Sequence, residues 1–309
     1  MKAIQYERYG PPDVMQLVDL PDRVPATDEV LIAVRAVSVG PGDCKTRSGS
    51  LDGSHPASFP KIPGRSGAGI VVALGAQADF ATIGDLVCFS TPHTESGSCA
   101  EFVTRPRDQI GRVPPPLDAV AAAAVGHPGV CAWIALVETA RVEPGMRVLV
   151  QGGSGTIGAQ AIQLAKHLGA RVSATARRKN AAYVERLGAD EVIAFDEGGD
   201  AGRARFDVVL DTVGGETHRR SYAALRAGGV LVYLRAAPID ETPARTDVRT
   251  LLARIDYRPE ILEKVLALAA QGVLRPQVGL TLPLAQCAEA HRRLEARTHG
   301  LGRVVLTVP

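Results

Sequence analysis

Arg147–Leu168 reads RVLVQGGSGTIGAQAIQLAKHL. A short run of β-forming residues passes directly into the glycine-rich turn Gly152–Gly158, and an amphipathic helical segment follows. Gly153, Gly155 and Gly158 space out G-x-G-x-x-G. The string alone is weak; its placement between a strand and a helix makes it specific for a dinucleotide cradle. On this reading Gly153 permits the tight turn, Gly155 lets backbone approach a pyrophosphate, and Gly158 lets the helix pack on the strand. The backbone of Ser154, Thr156 and Ile157 completes the cradle, because a helix N-terminus offers unpaired N–H groups and partial positive charge to phosphate.

The next strand, Arg171–Ala176 (RVSATA), bears on which dinucleotide binds. A carboxylate at its end would hold the ribose hydroxyls of NAD. This chain has instead Arg177-Arg178-Lys179. Cations at a helix N-terminus oppose its dipole, so an anionic partner is expected. The 2′-phosphate of NADPH supplies one, and arginine grips phosphate bidentately.

Outward from this motif, apolar strands and helices alternate: Glu191–Phe195, Phe206–Asp211 and Gly229–Leu234 read as strands, Asn180–Leu187 and Thr217–Leu225 as helices. Such alternation means a parallel sheet covered on both faces. The first third has a different texture. Met1–Tyr6, Glu29–Val37, Gly69–Leu74 and Asp85–Phe89 are β-rich and separated by Pro/Gly turns, and β texture returns at Val278–Leu282 and Arg303–Val308. The fold class expected is α/β: a doubly wound parallel sheet inserted into a β domain built from both chain ends. The boundaries are drawn at 1–117 plus 272–309 for the β domain and 118–271 for the nucleotide domain. Asp118–Ala140 reads as an alanine-rich helix interrupted at Gly126-His127-Pro128-Gly129.

The 309 residues carry 35 Lys+Arg against 33 Asp+Glu, a net charge of +2. Nucleic-acid binders carry a larger basic surplus, so no nucleic-acid partner is expected. No secretory signal is read at the N-terminus and no apolar run approaches the ~18 residues that span a bilayer, so a membrane partner is excluded at this level. The five cysteines are scattered, odd in number and without C-x-x-C spacing. That argues against disulfides and zinc knuckles and for a reducing, cytoplasmic location.

With these pieces placed, the sequence resembles the zinc-independent quinone oxidoreductases, the zeta-crystallin-like branch of the medium-chain dehydrogenase/reductases. The resemblance covers nearly the whole chain. It rests on Glu29–Gly49 (EVLIAVRAVSVGPGDCKTRSG), Ile62–Gly75 (IPGRSGAGIVVALG), Ala121–Leu136 (AAAAVGHPGVCAWIAL), the 147–168 stretch, Asp207–Gly215 (DVVLDTVGG) and Pro283–Val308. It implies a GroES-like β domain joined to a Rossmann-like domain, a homodimer paired through edge strands near Val230–Leu234, and no metal. Where zinc-dependent relatives carry ligands, this chain has Gly40, Arg65-Ser66 and the region of His127. The zinc-free relatives' Asn turn is Gly40-Pro41-Gly42-Asp43 here, and Leu51 stands where many carry Tyr.

The chemistry implied is hydride transfer from NADPH to a quinone or α,β-unsaturated carbonyl. Reduction of either places charge on an oxygen that a hydroxyl, N–H or cation can stabilise. A simple ketone needs a stronger acid or a metal. Catalytic candidates are His127 and Lys45; Cys131 and Gly214 are candidates for the nicotinamide side, and Asp43 and Asp211 are read as structural. An enoyl thioester reductase and a non-catalytic NADPH-binding structural or sensor protein remain as alternatives.

Overall fold

The computed structural model describes residues 1–50, 56–92, 95–234, 239 and 245–309. In chain order the elements are β1 (Lys2–Gln5), β2 (Gln16–Asp19), β3 (Glu29–Val39), α1 (Pro41–Ser48), β4 (Ser66–Leu74), β5 (Leu86–Ser90), β6 (Phe102–Pro106), β7 (Ile110–Arg112) and α2 (Ala119–Trp133). Then come β8 (Arg147–Gln151), α3 (Thr156–His167), β9 (Arg171–Ala176), α4 (Ala181–Arg186), β10 (Glu191–Ala194), β11 (Phe206–Asp211), α5 (Glu216–Ala224), β12 (Leu225–Tyr233) and β13 (Arg249–Leu252). The chain closes with α6 (Pro259–Ala270), β14 (Val278–Pro283), α7 (Cys287–Glu295) and β15 (Arg303–Thr307).

Two compact units result. The first comprises 1–127, 257–271 and 276–309. Its main sheet runs β14-β15-β3-β4-β5-β7, with β6 also on β3, and only β14–β15 is parallel. Its core is aliphatic, gathered around Val30, Ile32, Val34, Val37, Val71, Val87, Phe89, Val304 and Leu306. These side chains come from the alternate positions of paired strands, as a half-buried sheet requires.

The second unit comprises 128–256 and 272–275. Its six strands run β10-β9-β8-β11-β12-β13, all parallel. The order reverses beside β8, and in such sheets ligands bind at the carboxyl ends of the strands flanking that reversal. The glycine turn leaves β8 there.

The α/β class, with a β domain from both chain ends, is as the sequence implied, but four details differ. The unit boundary lies at 127/128 and 256/257, and Gly272–Arg275 joins the nucleotide unit. Packing is the reason: α6 lies on β7, where Gly111 leaves room for Leu262, and the Arg112 N–H donates to Glu263. Helix α2 is continuous through Gly126-His127-Pro128-Gly129 and then widens into a π-helical turn, Ile134–Thr139. A Cβ at Gly126 would lie 2.7 Å from Cys88 Sγ, so close burial holds the helix against proline's local preference. The whole stretch Ala119–Thr139 is long and apolar enough to cross a membrane, contrary to the expectation drawn from the sequence. However, 72% of its most apolar window is buried inside the protein, as in a core helix. Finally, Val230–Leu234 is no edge. β12 is flanked by β11 and β13, with Val230 opposite Arg249, so β13 is the outer strand. Of the residues that follow, 235–238 and 240–244 lie outside the described residues, as does Leu51.

Candidate active site

The nucleotide cradle is built by close packing around Gly152. This residue has φ of +78°, so the left-handed turn sits at Gly152 and not at Gly153, where the sequence reading placed it. A Cβ at Gly153 would lie 2.8 Å from Ala174 Cβ, and one at Gly158 only 2.2 Å from the Gly152 carbonyl oxygen. Gly158 therefore packs helix on strand, as expected. Gly155 is the N-cap of α3 and brings no side-chain cap. The helix thus presents the first-turn amides around Thr156 and Ile157 without an internal partner, which is the arrangement that binds phosphate.

Side chains tie this turn to the neighbouring strands. The Thr175 hydroxyl accepts from the Gly152 N–H (3.0 Å) and donates to Gln151 Oε1 (2.8 Å), and Gln151 Nε2 donates to Ser221 on α5 (3.2 Å). Asn180 Nδ2 donates to the Ser154 hydroxyl (3.3 Å). At the end of β11, fully buried Asp211 accepts the N–H groups of Val213 (2.8 Å) and Gly214 (2.9 Å) and pairs with His218 Nδ1 at 3.0 Å. Asp211 therefore holds the 211–214 turn, in the structural role read for it. The sequence reading had no signal for Thr175, Asn180 or His218, because their partners come from other strands and helices.

The three cations after β9 differ from one another. The Arg178 guanidinium donates to Glu197 (2.7 Å) and its backbone N–H to Asp196 (2.8 Å). One cation thus already has an anion within its own unit, brought there by the pairing of β9 with β10. Arg177 and Lys179 are exposed and make no ion pair among the described residues. No carboxylate takes the ribose-holding position at the end of β9. Cys131 is buried in α2 at 2% exposure, a core position.

In the first unit, Gly40 caps α1. Its N–H donates to buried Asp43 at 2.7 Å, so Asp43 is structural, as read. Lys45 lies half-buried on the same helix. A Cβ at Gly40 would lie 2.5 Å from the Arg303 guanidinium, and Arg303 donates to Ser38 at 2.5 Å. Arg65 donates to the Thr91 carbonyl (3.1 Å), and its guanidinium lies 5.6 Å from the centre of the Tyr257 ring. His127 stacks on Tyr257, ring centres 5.6 Å apart and planes inclined by 24°, and its Nδ1 contacts the Tyr257 hydroxyl. Beside Arg65 a narrow polar cleft is lined by Asp43, Thr46, Lys61 and Glu95. Burial, then the charge of Arg65, holds the Lys61 ammonium below its usual range.

This arrangement gathers donors and cations. The place of one zinc ligand is filled by the Arg303 guanidinium and that of the next by Arg65. Both repel a dication, where zinc needs three donor ligands. Among the described residues no group of three or more His, Cys, Asp or Glu could hold a metal ion. Tyr257 was missed from the sequence: it lies 130 residues from His127, in no motif.

Family models describe residues 26–145 as an alcohol dehydrogenase GroES-like domain and 187–306 as a zinc-binding dehydrogenase. The chain is 31% identical to the quinone oxidoreductase of Sus scrofa over 99% of this chain and 97% of that protein. A quinone oxidoreductase from Coxiella burnetii superposes with a TM-score of 0.88 at 31% identity, covering 100% of this chain and 99% of that one. The Escherichia coli quinone oxidoreductase, solved in complex with NADPH, superposes with a TM-score of 0.87 at 25% identity over the full length of both chains.

Proposed function

The chain belongs to the quinone oxidoreductase branch of the medium-chain dehydrogenase/reductases, and from that premise we propose that this oxidoreductase uses NADPH, without zinc, to reduce a quinone or an α,β-unsaturated carbonyl. The observation that carries the cofactor is the uncapped α3 terminus behind Gly152–Gly158, followed one strand later by Arg177 and Lys179 where NAD binding calls for a carboxylate. The backbone of Gly153–Gly158 would hold the pyrophosphate and the cationic turn the 2′-phosphate. NADPH would supply a hydride from its nicotinamide ring. The two guanidinium groups in place of zinc ligands support a metal-free reaction, which favours acceptors whose reduced oxygen is weakly basic. A homodimer is part of this reading, supported by the outer strand β13, and so is a cytoplasmic location, supported by five free cysteines.

Equilibrium binding tests the cofactor. NADPH should bind at least about tenfold tighter than NADH, roughly 1.4 kcal/mol; equal constants would sink the assignment. Acceptor class is tested by NADPH oxidation with 1,2-naphthoquinone, 9,10-phenanthrenequinone, alkenals and enoyl thioesters. Turnover of enoyl thioesters alone would move the protein to the thioester reductases, and tight NADPH binding without any turnover to a binding or sensing role.

A further inference from the structure

We propose that Tyr257 is the proton donor of this reduction and that His127 positions and recharges it. This deepens the reductase reading and rests on it. The observations lie within the first unit. The Tyr257 hydroxyl contacts His127 Nδ1, the two rings stack, and the Arg65 guanidinium lies 5.6 Å from the centre of the phenol ring. Arg65, His127 and Tyr257 are all half-buried, and the polar cleft adjoins Arg65. An acceptor oxygen beside Tyr257 would meet a hydroxyl backed by an imidazole, with the Arg65 cation alongside. Preorganised donors and charges of this kind stabilise an oxygen that gains negative charge.

Hydride addition to the acceptor's conjugated system moves an electron pair onto its carbonyl oxygen. The Tyr257 O–H bond breaks, its proton forms the new O–H of the enol or hydroquinone, and the phenol oxygen keeps the electron pair. His127 Nδ1–H returns a proton to that oxygen while Nε2 takes one from water, and proton exchange with solvent restores the Nδ1–H tautomer before the next turnover. One hydride and one solvent proton are consumed, as two-electron reduction of a carbonyl-conjugated acceptor requires. Arg65 offsets the charge carried meanwhile by the phenol.

The test compares the wild type with Tyr257→Phe, His127→Ala and the double variant, using NADPH and the best acceptor. Tyr257→Phe should lower kcat by about 10²-fold, the scale of a lost proton donor, with the NADPH dissociation constant and melting temperature close to wild type. His127→Ala should lower kcat by about tenfold, and the double variant should be no slower than Tyr257→Phe, because His127 acts through that hydroxyl. Independently of turnover, 4-nitrophenolate, a chromophoric oxyanion, should bind the NADP⁺-loaded protein about tenfold more weakly in Tyr257→Phe, as expected for a lost hydrogen bond to a charged group. A Tyr257→Phe enzyme with unaltered kcat, unaltered nitrophenolate binding, or kcat losses that multiply in the double variant would overturn the assignment while leaving an active wild type a reductase. A wild type that oxidises NADPH with none of the acceptors would overturn both.

Discussion

Single residues set the tolerances of the cradle. Gly158 has no room for a methyl group, because its Cβ would stand 2.2 Å from a backbone oxygen that cannot swing aside. Gly158→Ala should therefore destabilise the protein by about 3 kcal/mol, the upper end of overpacking costs, and weaken NADPH binding together with the melting temperature. Gly155 faces a different constraint: its Cβ would meet only the Gly152 oxygen, at 3.2 Å. Gly155→Ala should leave the melting temperature within a few degrees while weakening NADPH, since it obstructs the ligand more than the fold. A calorimetric scan with a fluorescence titration separates the two glycines; equal effects on stability would contradict this account. Much of this was legible from G-x-G-x-x-G, but the left-handed turn belongs to Gly152, which the motif does not include.

At the scale of elements, the turn after β9 is a contest between internal and external anions. Glu197, from the segment after β10, already holds Arg178 in an exposed ion pair. Such pairs contribute about 0.2–1 kcal/mol. Glu197→Gln should free Arg178 and tighten NADPH by up to about fivefold, with NADH unchanged. Arg177→Ala should cost more NADPH preference than Arg178→Ala. Dissociation constants for both cofactors across these variants check the ranking, and a larger loss from Arg178→Ala would reverse the assignment of the 2′-phosphate. The three cations were plain in the sequence; Glu197 was not, because the parallel pairing of β9 with β10 brings it there. Helix α2 teaches the same lesson. Gly126-His127-Pro128-Gly129 reads locally as a break, yet the helix runs on because small residues let it press against Cys88, and burial outweighs a local propensity.

For the whole molecule, association and thiol protection follow from the arrangement of strands. Among the described residues β13 is the outer strand of the six-stranded sheet and has no strand paired on its far edge, which sheets ordinarily cover or pair. We expect a dimer joined through that edge. Light scattering at micromolar concentration should give twice the 32.5 kDa chain mass, and Thr250→Pro, which removes one edge donor, should shift it toward monomer. A monomeric wild type would refute the dimer. All five cysteines are free and buried. None should react with an aromatic disulfide reagent at a rate faster than unfolding, and all should titrate once the chain is denatured.

The two-domain α/β plan and the dinucleotide turn are legible in the chain alone, because they rest on local periodicity and on glycine spacing within a single strand–turn–helix unit, and the family is legible as a resemblance carried by stretches along nearly the whole chain. Only the tertiary structure decided what faces His127. Tyr257 belongs to no motif and Arg65 stands in the distant Ile62–Gly75 stretch, and no local pattern encodes a meeting between side chains so far apart in the chain. The same holds for Arg303 filling the space at Gly40. A ligand set can be seen to be missing from the sequence, but which group occupies its place is settled by packing between strands whose contact the chain makes only on folding.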